Sequence, residues 1–268
     1  MKKMIALTLT LVLALGMFAG CSASNDKTIT VAASPTPHAE ILKVVKEELA
    51  KEGWTLVIKE FSDYVVPNTA TEDGSVDANY FQHVPYLETF NAENGTHLVS
   101  VVAVHYEPFG IYAGTKSDLS QIADGDKISI PNDGSNRARA LLLLEAQGLI
   151  KLKEGVGMEA TVLDIAENPH NLEIVEMEAA QLPNTRDSVA FAVINGNYAL
   201  GAGLNVSKDA LAFEDPKSVS ATTYGNVLVV REGNENTEKT KALIKAITSD
   251  AVREFIKTTY NGAVVPLF

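Results

Sequence analysis

The chain has 268 residues, 46% hydrophobic and 21% charged, with a net charge of −12 and one cysteine. A balance this acidic excludes a nucleic-acid binder, which needs basic stripes against phosphate. A lone thiol excludes an internal disulfide framework, and the composition is that of a folded chain, not a disordered one.

Residues 1–20 read as a signal peptide. Lys2-Lys3 opens it, Ile5 to Phe18 is mostly apolar, and Ala19-Gly20 supplies small residues for a peptidase. The run is shorter than the about 20 residues a bilayer span needs. Cys21 follows at once, so the expectation is cleavage before Cys21 and acyl chains, palmitate among them, on its sulfur. Each methylene buried in the membrane then contributes about 0.8 kcal/mol. Phe18 departs from the Leu more usual in a bacterial lipobox. Residues 21–27 form a polar tether. The remaining 248 residues carry a net charge of −14, because the leader holds two lysines and no acid; they suffice for two domains.

The folded body begins with a β-branched strand, Thr28 to Ala33, and the turn Ser34-Pro35-Thr36-Pro37. A helix follows with Ile41, Leu42, Val45 and Leu49 on one face, then Gly53 and an alternating strand from Thr55 to Phe61. Strand, helix and strand in about 35 residues make a βαβ unit and predict a parallel sheet. Further strands are expected at Val99–Val104, Lys127–Pro131, Val189–Ile194 and Asn226–Val230, with helical periodicity at Ser135–Gly148 and Thr237–Thr259. The fold class is α/β, with two lobes joined where His105–Ala113 and Thr223–Val230 cross.

Several enzyme and cofactor signals fail on context. Gly155-Val156-Gly157-Met158-Glu159-Ala160 has the letters of a dinucleotide loop but follows Lys151-Leu152-Lys153-Glu154 instead of a buried strand. The five histidines lack metal-ligand spacing, and no Gly-x-Ser-x-Gly elbow is present. No cofactor, metal or catalytic residue is expected.

Three stretches suggest ligand chemistry instead. In Asp77 to Leu87, alternation puts Asn79, Phe81 and His83 on one face, and Pro85 in the first turn of the next helix brings Tyr86 behind His83. Core packing alone also fits that pattern. In Ile130 to Arg139, Gly134 turns and Ser135 caps a helix whose positive end favours an anion. Arg137 and Arg139 lie about 200° apart, so one faces a cleft and the other water. A solvated fate for either fits equally. In Phe191 to Leu200, Asn195 ends a strand where open α/β sheets bind ligands, although Asn also favours turns; Tyr224-Gly225-Asn226-Val227 echoes it.

These stretches, with Ala33 to Leu42, Phe61-Ser62-Asp63-Tyr64, Pro131-Asn132-Asp133, Arg139 to Leu144 and Val229-Val230-Arg231, resemble the NlpA/MetQ family of methionine-binding lipoproteins over nearly the whole mature chain. The resemblance implies a type II periplasmic-binding-protein fold, with residues 28–107 plus 228–268 as one lobe and 108–227 as the other. It implies that Arg139 grips a ligand carboxylate, that Asn195 and Asn226 bind the amino-acid backbone, with Asn197 weaker, and that Tyr64, Phe81, His83 and Tyr86 enclose a thioether. Ala138 departs from the Gly many relatives carry before the arginine. The implied role is a monomeric, lipid-anchored receptor on the extracytoplasmic face that delivers methionine to an ABC permease and its ATPase. D-methionine, a methionine-containing dipeptide, another apolar amino acid, or a surface lipoprotein without transport are the alternatives. One guanidinium, two carboxamides and a ring-lined slot can reach a binding free energy of about −8 kcal/mol, a submicromolar constant.

Overall fold

The computed structural model describes residues 27–215, 217 and 222–268. Signal peptide, Cys21 and most of the expected tether lie outside the described residues. Among the described residues, no helix is long and apolar enough to cross a membrane.

Among the described residues thirteen strands occur: β1 (Thr28–Ala33), β2 (Thr55–Glu60), β3 (Ala78–His83), β4 (Leu98–Tyr106), β5 (Gly110–Ala113), β6 (Lys127–Pro131), β7 (Lys151–Leu152), β8 (Ile165–Glu167), β9 (Glu173–Met177), β10 (Phe191–Ile194), β11 (Ala210–Phe213), β12 (Asn226–Arg231) and β13 (Val265–Pro266). They form a six-stranded sheet, β13-β4-β12-β3-β1-β2, a five-stranded sheet, β11-β5-β10-β6-β9, and the small hairpin β7-β8. Each large sheet has its own apolar core. In the first, the Glu40–Lys51 helix buries Ile41, Leu42, Val45 and Leu49 against β1 and β2, the face its 3.6-residue spacing predicts. In the second, the Gly134–Ala146 helix buries Leu141, Leu143 and Leu144 against β6 and β10.

The βαβ unit is parallel, β1 pairing β2 from Thr28↔Thr55 to Ala33↔Glu60. The sheets as wholes are mixed, because β12 runs antiparallel between β3 and β4, and β5 antiparallel to β10 and β11. The chain crosses between sheets twice. The first crossing is the short passage between Tyr106 and Gly110; the second lies between Phe213 and Asn226, upstream of Thr223–Val230 for most of its length. Asn226 and Val227 already pair with β3 and β4, so a division at 227/228 would fall inside a strand.

Two local expectations need correction. The segment Thr237–Thr259 is two helices, Glu238–Ile247 and Asp250–Tyr260, because Ser249 turns extended and its side chain caps Val252 N–H. The cap chemistry wins over a periodicity that both helices share. Asp133, not Ser135, caps the Gly134–Ala146 helix, its carboxylate accepting from Asn136 N–H at 2.9 Å. The anion favoured at that helix end is therefore the protein's own.

Candidate functional site

The segments that follow β2, β3, β4, β6 and β10 converge between the lobes, at the carboxyl ends of those strands, where they meet the first residue of β12. They enclose a cavity of about 340 Å³ lined by Tyr64, Phe81, His83, Tyr86, Arg139, Asn195 and Asn226, with Gln82, Glu107, Asn136, Gly196 and Asn197 completing the wall. All seven residues singled out in the sequence therefore meet in one place. The lobes touch across the cleft, where Tyr64 OH donates to Asn197 Oδ1 at 2.6 Å and Tyr198 OH to the Ser62 carbonyl at 3.0 Å.

One side of the cavity is aromatic. Tyr64 packs against Phe81 and Tyr86 at 5.6 Å between centroids, and Phe81 meets Tyr86 edge-on at 6.0 Å. Simple alternation does not place these rings. The register of β3 against β12 slips so that Tyr80 and Gln82 face the consecutive residues Leu228 and Val227, leaving Phe81 as the extra residue of a bulge. Asn79, expected beside Phe81, does not line the cavity and instead joins Asn68, Thr71 and the wall residue Gln82 in a buried polar cluster.

Arg139 is buried, while Arg137 reaches the rim beside Glu176 at 3.5 Å, as their angular separation requires. Arg139 does not present its fork to the cavity. Nε donates to Glu214 Oε1 at 2.8 Å and Nη2 to Glu214 Oε2 at 2.5 Å, and Nη2 also reaches the Glu107 carbonyl at 3.0 Å. A buried guanidinium needs a counter-charge, and Glu214 on the second crossing supplies it. Burial opposes the Arg139 charge, but Glu214 more than compensates and the net shift is upward. Burial likewise pushes against ionised Glu214, yet Arg139 and donors from Tyr106 and Phe109 hold its carboxyl below the usual range. Tyr224 lies over the guanidinium at 4.2 Å. The guanidinium fork is thus engaged by Glu214.

The amides form a chain whose polarity is fixed at both ends. Tyr86 N–H donates to His83 Nδ1 at 3.2 Å, so the ring proton sits on Nε2, 3.2 Å from Asn136 Oδ1. Asn136 Nδ2 donates to Asp133. Asn195 Nδ2 therefore donates to Asn136 Oδ1 at 2.9 Å, and Asn195 Oδ1 is a buried acceptor with no partner among the described residues. Burial and then Arg139 lower the His83 pKa to about 3, keeping the ring neutral.

Glu107 carried no sequence signal, because it stands in the first crossing outside any periodic element. It is 5% exposed, lines the cavity, and accepts from His105 Nε2 at 2.7 Å. Burial raises its pKa, against the pull of His38 and Arg139. Gly196 admits it, since a Cβ there would stand 2.6 Å from both Glu107 Cβ and Oε2. His38, His105 and Glu107 also bring one ligand-type atom each within 4.8 Å, which no spacing in the sequence foretold. Within the cluster His105 Nε2 donates to Glu107 Oε1, and His38 Nε2 lies 3.5 Å from the same oxygen while bonding Asn226. Asn136 was missed too, being one of several polar residues at a helix start.

Residues 29–268 match the family model described as NlpA lipoprotein. The methionine-binding lipoprotein MetQ of Bacillus subtilis (strain 168) is 42% identical over 278 residues, covering 100% of this chain and 99% of the relative. A crystal structure from Ruminococcus gnavus ATCC 29149 superposes with a TM-score of 0.89 at 59% identity, covering 90% of this chain and 100% of its own. A nutrient binding protein from Burkholderia cenocepacia bound to methionine superposes with a TM-score of 0.85 at 44% identity, with the same coverages.

Proposed function

This chain belongs to the NlpA lipoprotein family, and from that premise we propose that it is a membrane-attached receptor that binds methionine between its lobes and passes it to an ABC importer. The observation that carries the reading is the pairing of a buried, unpartnered acceptor, Asn195 Oδ1, with a wall of three packed rings. An α-ammonium has the donors that Asn195 and Glu107 accept. The thioether has the soft, apolar surface that aromatic edges attract, each contact contributing about 0.3 to 1.5 kcal/mol. The carboxylate would meet Arg139 and the amide NH₂ of Asn226. Tyr64, Phe81, His83 and Tyr86 surround the side chain.

The acyl anchor on Cys21 holds the receptor to the extracytoplasmic face, where a monomer captures its ligand and docks on the permease that the ATPase drives. The chemistry is binding and release without turnover.

Native mass spectrometry of the soluble fragment from Ser22, before and after partial unfolding, tests this. A released mass of methionine, together with saturable binding of added methionine by calorimetry, is the expected result. A dipeptide mass, or a protein that binds no amino acid, overturns it.

A further inference from the structure

His38 lies in the turn after β1 and is fully buried. Its Nε2 stands 3.0 Å from Asn226 Oδ1 and 3.5 Å from Glu107 Oε1, while Nδ1 has no partner among the described residues. The ring is held edge-on by Tyr80 at 4.7 Å and tilted against His105 at 5.0 Å, so it cannot readily turn to exchange its nitrogens. Both groups facing Nε2 are oxygens that accept, which places the proton on Nε2 and leaves Nδ1 bare. With Oδ1 committed to His38, the amide of Asn226 has one atom left for the cavity it lines, the donor Nδ2.

Asn195 is arranged the opposite way, its Nδ2 held by Asn136 and its Oδ1 unpartnered. Two carboxamides that could each have served either pole of an amino acid are therefore assigned one pole apiece. We infer that His38 is a positioning residue that locks the Asn226 amide with its NH₂ toward the ligand, making Asn226 a carboxylate-specific contact and the cavity selective for a free carboxylate. This rests on the amino-acid reading of the site. In a flipped amide, Oδ1 would face the carboxylate and repel it. The buried, neutral ring suits the task, since burial lowers the His38 pKa to about 4 despite the opposing pull of Glu107.

The test compares methionine with methioninol, which keeps the ammonium and thioether but lacks the carboxylate, by calorimetry on the soluble fragment. His38→Leu should weaken methionine about tenfold, the value of one lost hydrogen bond to a charged group, and methioninol less than twofold. His38→Gln, which can donate from a similar reach, should restore most of the methionine affinity. In an Asn226→Ala background, His38→Leu should have no further effect on methionine. Nitrogen-15 shifts of the His38 ring in the unaltered protein give a reading that needs no variant, with the proton expected on Nε2. A proton on Nδ1, or equal weakening of both ligands, overturns the role of His38 while methionine binding stands. Absence of methionine binding to the unaltered protein overturns the functional reading and this inference together.

Discussion

The two walls of the cavity are organised by different forces. On the side of the six-stranded sheet, Tyr64, Phe81 and Tyr86 fix one another by ring contacts, with three buried, neutral histidines: His83 in the wall itself, and His38 and His105 outside it. On the side of the five-stranded sheet, order comes from ions and directed amides: Arg139 with Glu214, Asn136 with Asp133, and Asn195 with Asn136. Apolar packing tolerates many shapes of about the right size, whereas a polar chain accepts only groups of the right sign. The rings of the first wall therefore grade ligands by side chain, and the polar groups of the second, joined by Asn226 from β12, admit or reject them by their backbone charges.

The comparison is broken most sharply at Arg139. Arg139→Ala should reduce methionine affinity more than 100-fold and lower the melting temperature, because Glu214 is left buried without its cation. Arg137→Ala should stay within about twofold of the parent, its partner Glu176 being half-exposed. Calorimetry and thermal unfolding on both variants decide this, and equal losses would mean the ionic wall is not built on Arg139.

Acid should attack the other wall. The three histidines have folded pKa values of about 4, 3 and 3 against an ordinary 6.5, so over that interval the unfolded chain binds protons the folded chain refuses. Stability from this source is complete above about pH 6.5 and falls as the pH drops, by up to about tenfold in the folding constant per unit per histidine. Glu107, pushed upward by burial, and Asp133, likewise raised, act in the opposite sense, two carboxyls against three rings. Hydrogen exchange, taken relative to the intrinsic rate at each pH, should be faster at pH 5 than at pH 7 in β3 and β4 and less changed in β6 and β10. A uniform increase would erase the distinction.

Phe81→Ala should weaken methionine by about 10- to 30-fold and alanine far less, since it removes apolar surface beside the thioether and leaves the polar set intact. Equal losses for both amino acids would point to a disturbed fold. The smallest effect expected is that of Tyr64→Phe. It deletes the 2.6 Å hydrogen bond to Asn197 across the cleft but keeps the ring, and should cost about three- to tenfold in affinity, mainly through faster release. Stopped-flow dissociation measures it.

Much of this was legible along the chain. The apolar spacing of Ile41, Leu42, Val45 and Leu49 specified a helix face, and the β-branched runs on either side specified a parallel pair, because both patterns are local consequences of backbone geometry. The seven site residues could be named from motifs and a family resemblance. Their hydrogen bonding could not. Glu214 meets Arg139 from 75 residues away and Asn226 meets His38 from 188, and Glu107 belongs to no periodic segment. Even within β3 the bulge at Phe81 redirected Asn79 away from the cavity, a shift that depends on the partner strand β12.

The sequence by itself determined the α/β class, a helix on which Arg137 and Arg139 face different ways, and the presence of a ring-bearing passage from Asp77 to Leu87, because side-chain periodicity and turn chemistry act over a few residues. Only the tertiary structure decided which way each amide points and which carboxylate answers the buried guanidinium. Those choices follow from burial, where a charge must find an opposite charge and a donor an acceptor from whatever strand or crossing the fold brings alongside.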